Sequence, residues 1–75
     1  MPLWILQCGM TLLVNGEPRS IPDGASVADL IQQLGLEESA CAVEVNKRLV
    51  PKAEHPQHAL GDGDSIEVVT LVGGG

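Results

Sequence analysis

The stretch of sequence that decides the fold reads Met10-Thr11-Leu12-Leu13-Val14-Asn15-Gly16. A short apolar run that ends in an Asn-Gly pair is the strongest short-range sign of a β-hairpin, because both residues accept positive φ. The returning strand is expected over residues 17–21, where Pro18 lacks a backbone donor and therefore suits a sheet edge. The sequence thus predicts a hairpin that begins at Met10.

One amphipathic helix is predicted to follow the hairpin. Ser26 is a favoured N-cap residue, and Asp29, three positions later, forms a weak version of the capping box. Gly35 is a suitable helix stop. Between them, apolar residues recur at the spacing of one helical face: Val27, Leu30, Ile31 and Leu34.

Three further strands are predicted, over residues 41–45, 48–50 and 65–72, with a proline-broken loop over 51–60. A chain this short buries an apolar stripe economically by packing one helix on one face of a mixed sheet. The expected class is therefore α+β, with four to five strands and one main helix. The first and last strands are the most apolar and are expected to form the central pair.

The alternation of side chains along a strand assigns the faces of the sheet. If Glu44 and Glu67 face water, the residues expected to face the helix are Leu12, Val14, Val43, Val45, Ile66 and Val68. The same alternation places Leu13, Val69 and Leu71 on the outer face. Contiguous exposed apolar side chains usually mark a partner site, whereas scattered ones are ordinary surface residues. We interpret these three as a docking patch.

Composition excludes several functions. The chain has 75 residues and a net charge of −6, and Trp4 is its only aromatic residue. Nucleic acid and anionic lipid are not expected partners, because phosphate affinity comes from Lys and Arg. A domain of this size has little room for a private active site, so an enzyme is not expected. No apolar stretch approaches the roughly 20 residues of a membrane span.

The remaining chemistry-bearing residues point to a structural role. Cys8 and Cys41 lack the spacing of a disulfide framework or a zinc site, which favours free thiols in a reducing cytoplasm. His55 and His58 form an H-x-x-H pair without further ligands, so no metal site is expected. The apolar run within residues 1–9 is too short for a signal peptide. We interpret these residues as a leader outside the fold.

The glycine tail Gly73-Gly74-Gly75 is the most informative feature. Glycine has no Cβ, so such a tail can pass through a channel too narrow for other residues, and three residues reach about 10 Å. The only functional group at the tip is the α-carboxylate of Gly75, which needs activation as an acyl phosphate or acyl adenylate before a nucleophile can replace an oxygen. The alternative interpretation is a flexible end without a role.

Taken together, these features resemble the ThiS family of ubiquitin-like sulfur carriers. The resemblance covers residues 10–75 and rests on Asn15-Gly16, the helix, the stretch from Glu44 to Pro51, His58, the segment from Leu60 to Asp64, and the glycine tail. His55 departs from the pattern, since an aromatic residue is expected there. The leader also departs from it.

The resemblance implies a β-grasp fold and a carrier that is not itself an enzyme. A ThiF-like adenylyltransferase would use MgATP to adenylate Gly75, with no cofactor bound by the carrier itself. Sulfur from a cysteine desulfurase would then give a thiocarboxylate, and a ThiG-like thiazole synthase would take that sulfur. Lys47 and Arg48 are expected to add charged rim contacts beside the docking patch.

Two alternatives remain open at this point. Another sulfur carrier, such as the small subunit of molybdopterin synthase, shares the fold and the tail but ends more typically in two glycines. A β-grasp interaction module or protein modifier would use no sulfur. The intact mass after incubation with ATP, a sulfur source and the activating enzyme separates the two classes.

Overall fold

The computed structural model describes residues 9–71. The predicted leader, apart from Gly9, and the tail residues Gly73, Gly74 and Gly75 lie outside the described residues. The first strand begins at Gly9 and not at Met10, because Gly9 pairs with Pro22 across the hairpin. Gly9 therefore belongs to the domain, which corrects the boundary of the predicted leader.

Five strands form one mixed sheet. They are β1 (Gly9–Val14), β2 (Glu17–Pro22), β3 (Cys41–Val45), β4 (Arg48–Val50) and β5 (Ser65–Thr70), in the order β2-β1-β5-β3-β4. β1 and β5 pair in parallel, and the other pairings are antiparallel. The predicted adjacency of the first and last strands is confirmed, and β5 is the central strand.

The helix α1 (Val27–Gln33) has the predicted ends. The hydroxyl of Ser26 accepts a hydrogen bond from the Asp29 N–H at 3.2 Å, and the Asp29 carboxylate accepts one from the Ser26 N–H at 2.9 Å. Gly35 adopts a φ of 75°, and the Leu36 N–H donates to the Ile31 carbonyl at 3.0 Å. This is the Schellman arrangement that glycine permits at a helix C-terminus.

The core lies between α1 and one face of the sheet. All six strand residues predicted to face the helix are buried: Leu12, Val14, Val43, Val45, Ile66 and Val68. On the opposite face Leu13, Val69 and Leu71 are 44%, 57% and 56% exposed. The face assignment made from alternation is confirmed.

The loop after β4 contains a 3₁₀ helix (Lys52–Gln57). His55 in this helix is buried, and its Nε2 lies 3.1 Å from the Val50 carbonyl oxygen. Position 55, where the family resemblance leads us to expect an aromatic residue, is therefore a core position, and here the imidazole ring of His55 occupies it. No helix within residues 9–71 has the length and apolar character needed to cross a membrane.

Candidate functional site: the root of the tail and the outer sheet face

The end of β5 from which the tail continues is held by a side chain of the hairpin turn. Asn15 accepts a hydrogen bond from the Val68 N–H at 2.9 Å and donates one to the Val68 carbonyl at 3.2 Å. The parallel β1–β5 pairing stops at Val14 and Ile66, so the Asn15 amide continues the pairing for one more residue. Beyond it, the Leu71 N–H donates to the Ala40 carbonyl at 2.8 Å.

A second asparagine holds the start of β5. The Asn46 N–H donates to the Ser65 carbonyl at 2.7 Å, and its side-chain oxygen accepts from the Ser65 N–H at 3.0 Å. Its side-chain nitrogen donates to the Asp64 carboxylate at 3.0 Å. Asn46 has a φ of 52°, in the left-handed region that asparagine tolerates better than most residues.

The Asp-Gly-Asp turn before β5 is also held by hydrogen bonds, here between its carboxylates and backbone N–H groups of nearby residues. The Asp62 carboxylate accepts from the Thr11 N–H at 2.8 Å, and the Asp64 carboxylate accepts from the Gly61 N–H at 2.8 Å. The motif residues Asn15, Asn46, Asp62 and Asp64 thus share one task. They position β5 and the turn before it, and the carboxylates of Asp62 and Asp64 each accept a hydrogen bond from a backbone N–H.

Leu49 is a large exposed apolar residue that the predicted docking patch did not include. Leu49 is 65% exposed and pairs with Glu44, which faces outward. Residues that pair directly across neighbouring strands share a face, so extending the alternation from β3 to β4 would have found it. The outer apolar patch therefore comprises Leu13, Leu49, Val69 and Leu71.

The two predicted rim cations lie on the edge strand β4 and in the turn before it. Arg48 pairs with Val45, which faces the helix, so Arg48 occupies the helix side of the edge strand β4. Lys47 lies in the turn between β3 and β4 with a φ of 71°. That Lys47 and Arg48 add charged rim contacts beside the docking patch stays a prediction.

The metal-ligating side chains of the described residues do not form a cluster. Within residues 9–71, no group of three or more His, Cys, Asp or Glu side chains is placed to hold a metal ion. Cys41 is partly buried against the core, as its alternation with Val43 predicts. Its thiol is free. The predicted acceptor, the carboxylate of Gly75, lies outside the described residues.

A mixed five-stranded sheet with one helix on one face, and a central last strand that leads into a glycine tail, defines a ubiquitin-like β-grasp protein. The family model described as "ThiS family" matches residues 12–75. The chain belongs to the ThiS family. This confirms the resemblance found in the sequence.

Relatives and solved structures agree with that membership. The chain is 30% identical over 66 residues to the sulfur carrier protein ThiS of Escherichia coli, with 88% of this chain and 100% of that protein covered. It is 37% identical over 62 residues to the sulfur carrier protein ThiS of Thermus thermophilus, with 83% and 95% covered. A crystal structure of ThiS from Geobacter metallireducens superposes with a TM-score of 0.74 at 28% identity, covering 88% of this chain and all of that one.

The chain also matches part of a larger enzyme. It is 41% identical over 66 residues to the thiazole synthase of Paramagnetospirillum magneticum, with 88% of this chain but only 20% of that protein covered. The chain thus spans about a fifth of that relative.

Proposed function

We propose that this chain is a sulfur carrier of thiamine biosynthesis and that the carboxylate of Gly75 carries the sulfur. The observation that supports this most directly is the family match, which runs from residue 12 through the last glycine. Two relatives that the chain covers almost completely are named sulfur carrier protein ThiS. Similarity to a thiazole synthase favours thiazole formation over molybdopterin synthesis as the destination of the sulfur.

The proposed chemistry replaces one carboxylate oxygen of Gly75. A ThiF-like adenylyltransferase uses MgATP: the carboxylate attacks the α-phosphorus, an O–P bond forms and pyrophosphate leaves. The terminal sulfur of a persulfide, supplied by a cysteine desulfurase, then attacks the acyl carbon and displaces AMP. A second thiol cleaves the resulting acyl disulfide, forming a new disulfide and releasing the thiocarboxylate. A ThiG-like thiazole synthase consumes that sulfur.

The body of the domain serves this chemistry by docking. A tail with a reach of about 10 Å enters a partner's active site only if the domain sits at its entrance. Glycines have no side chains with which to bind, so the affinity comes from the body. The outer apolar patch includes Leu71, the last described residue before the tail, and Val69 two residues earlier, and we propose it as the docking surface.

Intact mass spectrometry tests the proposed function. Incubation with ATP, a sulfur source and the activating enzyme is expected to raise the mass by the difference between sulfur and oxygen. The product is expected to react with an alkylating agent even when Cys8 and Cys41 are both replaced by Ser. A chain that lacks Gly74 and Gly75 serves as the control, and an equal mass gain in that control would show that the tail is not the acceptor.

A further inference from the structure

The outer apolar patch encloses two carboxylates that the docking proposal leaves unexplained. Glu44 on β3 and Glu67 on β5 are direct cross-strand partners, and both are exposed on the outer face. Side chains in such a pair have Cβ atoms roughly 5 Å apart, and like charges placed there destabilise a sheet. The domain thus carries a local electrostatic cost in the middle of the surface that it uses for docking.

Apolar side chains flank this acidic pair on three sides. Leu49 pairs with Glu44 on the β4 side. Leu13, on β1, pairs with Ser65, two residues before Glu67. Val69 lies two residues after Glu67, in the direction of the tail. The carboxylates therefore lie within the patch and not at its margin.

The order of the strands makes contact with the acidic pair unavoidable. β1 and β4 lie three strand spacings apart, about 14 Å, with β5 and β3 between them. A partner that covers both Leu13 and Leu49 must also cover Glu67 and Glu44. Burying charged carboxylates against an apolar surface is strongly unfavourable unless they are paired.

Among residues 9–71, no Lys or Arg occupies an outward-facing strand position of this face. Its four cations are Arg19, Lys47, Arg48 and Lys52. Arg19 pairs with the buried Leu12 and Arg48 with the buried Val45, so both lie on the helix side of their strands. Lys47 is in a turn, and Lys52 is in the 3₁₀ helix. The complementary charge must come from a partner.

We infer that the outer sheet face binds a partner protein surface that presents a basic side chain, bordered by apolar residues, to Glu44 and Glu67. A guanidinium group suits this position best, because its planar set of donors can reach two carboxylates at once. Hydrogen bonds from this guanidinium group to both carboxylates would offset the repulsion between the two glutamates. This inference rests on the proposed function and adds to it the chemistry of the docking partner.

The test compares two variants that lose the same charge. E44Q/E67Q removes the acidic pair from the sheet face, and E37Q/E54Q removes two exposed carboxylates that lie off the sheet. The probe is the ThiF-like activating enzyme, with ATP–pyrophosphate exchange measured against carrier concentration. For E44Q/E67Q we expect the KM for the carrier to rise about tenfold or more, with exchange at saturation unchanged and with a weaker dependence of KM on NaCl.

A stability measurement separates docking from folding. Because the two glutamates repel each other, E44Q/E67Q is expected to keep or raise the Tm by roughly 1–4 °C while it loses binding. For E37Q/E54Q we expect the KM to change by less than about twofold.

An unchanged KM for E44Q/E67Q, or an equal rise for both double variants, would overturn the inference while leaving the proposed function in place. The absence of any exchange with the unmodified chain would overturn the proposed function, and the inference with it.

Discussion

The side-chain amide of Asn15 forms two hydrogen bonds with the backbone of Val68, fifty-three residues later in the chain. It joins the turn of the N-terminal hairpin to the central strand just before the tail. The same residue has a φ of 53°, so it shapes the turn and extends the parallel pairing of β1 with β5.

Two substitutions at Asn15 separate these roles. Asn15→Gly keeps the left-handed turn but loses both hydrogen bonds, and we expect a loss of roughly 1–3 kcal/mol in the free energy of unfolding, because the part-buried Val68 groups lose their partner. Asn15→Ala adds the cost of a strained φ and is expected to lose more. Urea denaturation measures both. Equal stability of Asn15→Gly and the unmodified chain would show that the side-chain bonds contribute nothing.

Neighbouring residues in and just after β5 should respond in opposite ways to substitution. Val69→Asp and Leu71→Asp are expected to weaken partner binding about tenfold or more, since each loses an apolar contact worth roughly 1.5–3 kcal/mol. Both side chains are exposed, so thermal stability should change little. The buried Val68 provides the control: Val68→Ala is expected to lower stability and leave binding by the folded fraction intact. Titration calorimetry with the partner and thermal melts give both quantities, and normal binding by Leu71→Asp would contradict the docking surface.

The tail should tolerate neither bulk nor extension. Gly74→Val adds a branched side chain, and one residue appended after Gly75 removes the free carboxylate from its position. Both changes are expected to abolish ATP–pyrophosphate exchange with the activating enzyme while the thermal melt stays the same. Undiminished exchange by either chain would show that the Gly75 carboxylate is not the group that is activated.

His55 is expected to act as a core residue. His55→Ala should lower the free energy of unfolding by roughly 2–4 kcal/mol through the cavity it leaves. His55→Phe refills that volume but leaves the Val50 carbonyl without its partner, at a cost of roughly 1–3 kcal/mol. Because the ring nitrogen Nε2 is engaged by that carbonyl, we expect addition of EDTA to leave the Tm unchanged. A drop in Tm with EDTA would show a metal role instead.

Removal of residues 1–8 is expected to leave the domain folded, provided that Gly9 is kept for its pairing with Pro22. The shortened chain should melt within a few degrees of the full one and accept sulfur equally well. A loss of several kcal/mol would mean that Trp4 contributes to the core.

Local sequence determined much of this fold because its determinants act over a few residues. The Asn15-Gly16 turn, the capping box of Ser26 with Asp29, and the stop at Gly35 each depend on φ preferences and on hydrogen bonds between near neighbours. The burial of alternate residues in β1, β3 and β5 follows from the period of two along a strand. The identity of the candidate acceptor, Gly75, also came from sequence, since the carboxylate of a glycine tail needs no folded environment to be recognised.

Other features were decided by the tertiary structure, because they depend on which strands become neighbours. No local pattern shows that Asn15 reaches Val68 or that Glu44 pairs with Glu67. Each requires the sheet order and register, which bring together residues far apart in the chain. The face on which Arg48 lies is decided in the same way, by its pairing with Val45. The sequence alone thus determined the elements, the faces of β1, β3 and β5 and the candidate acceptor Gly75, whereas the register of the sheet decided which side chains share the proposed docking surface.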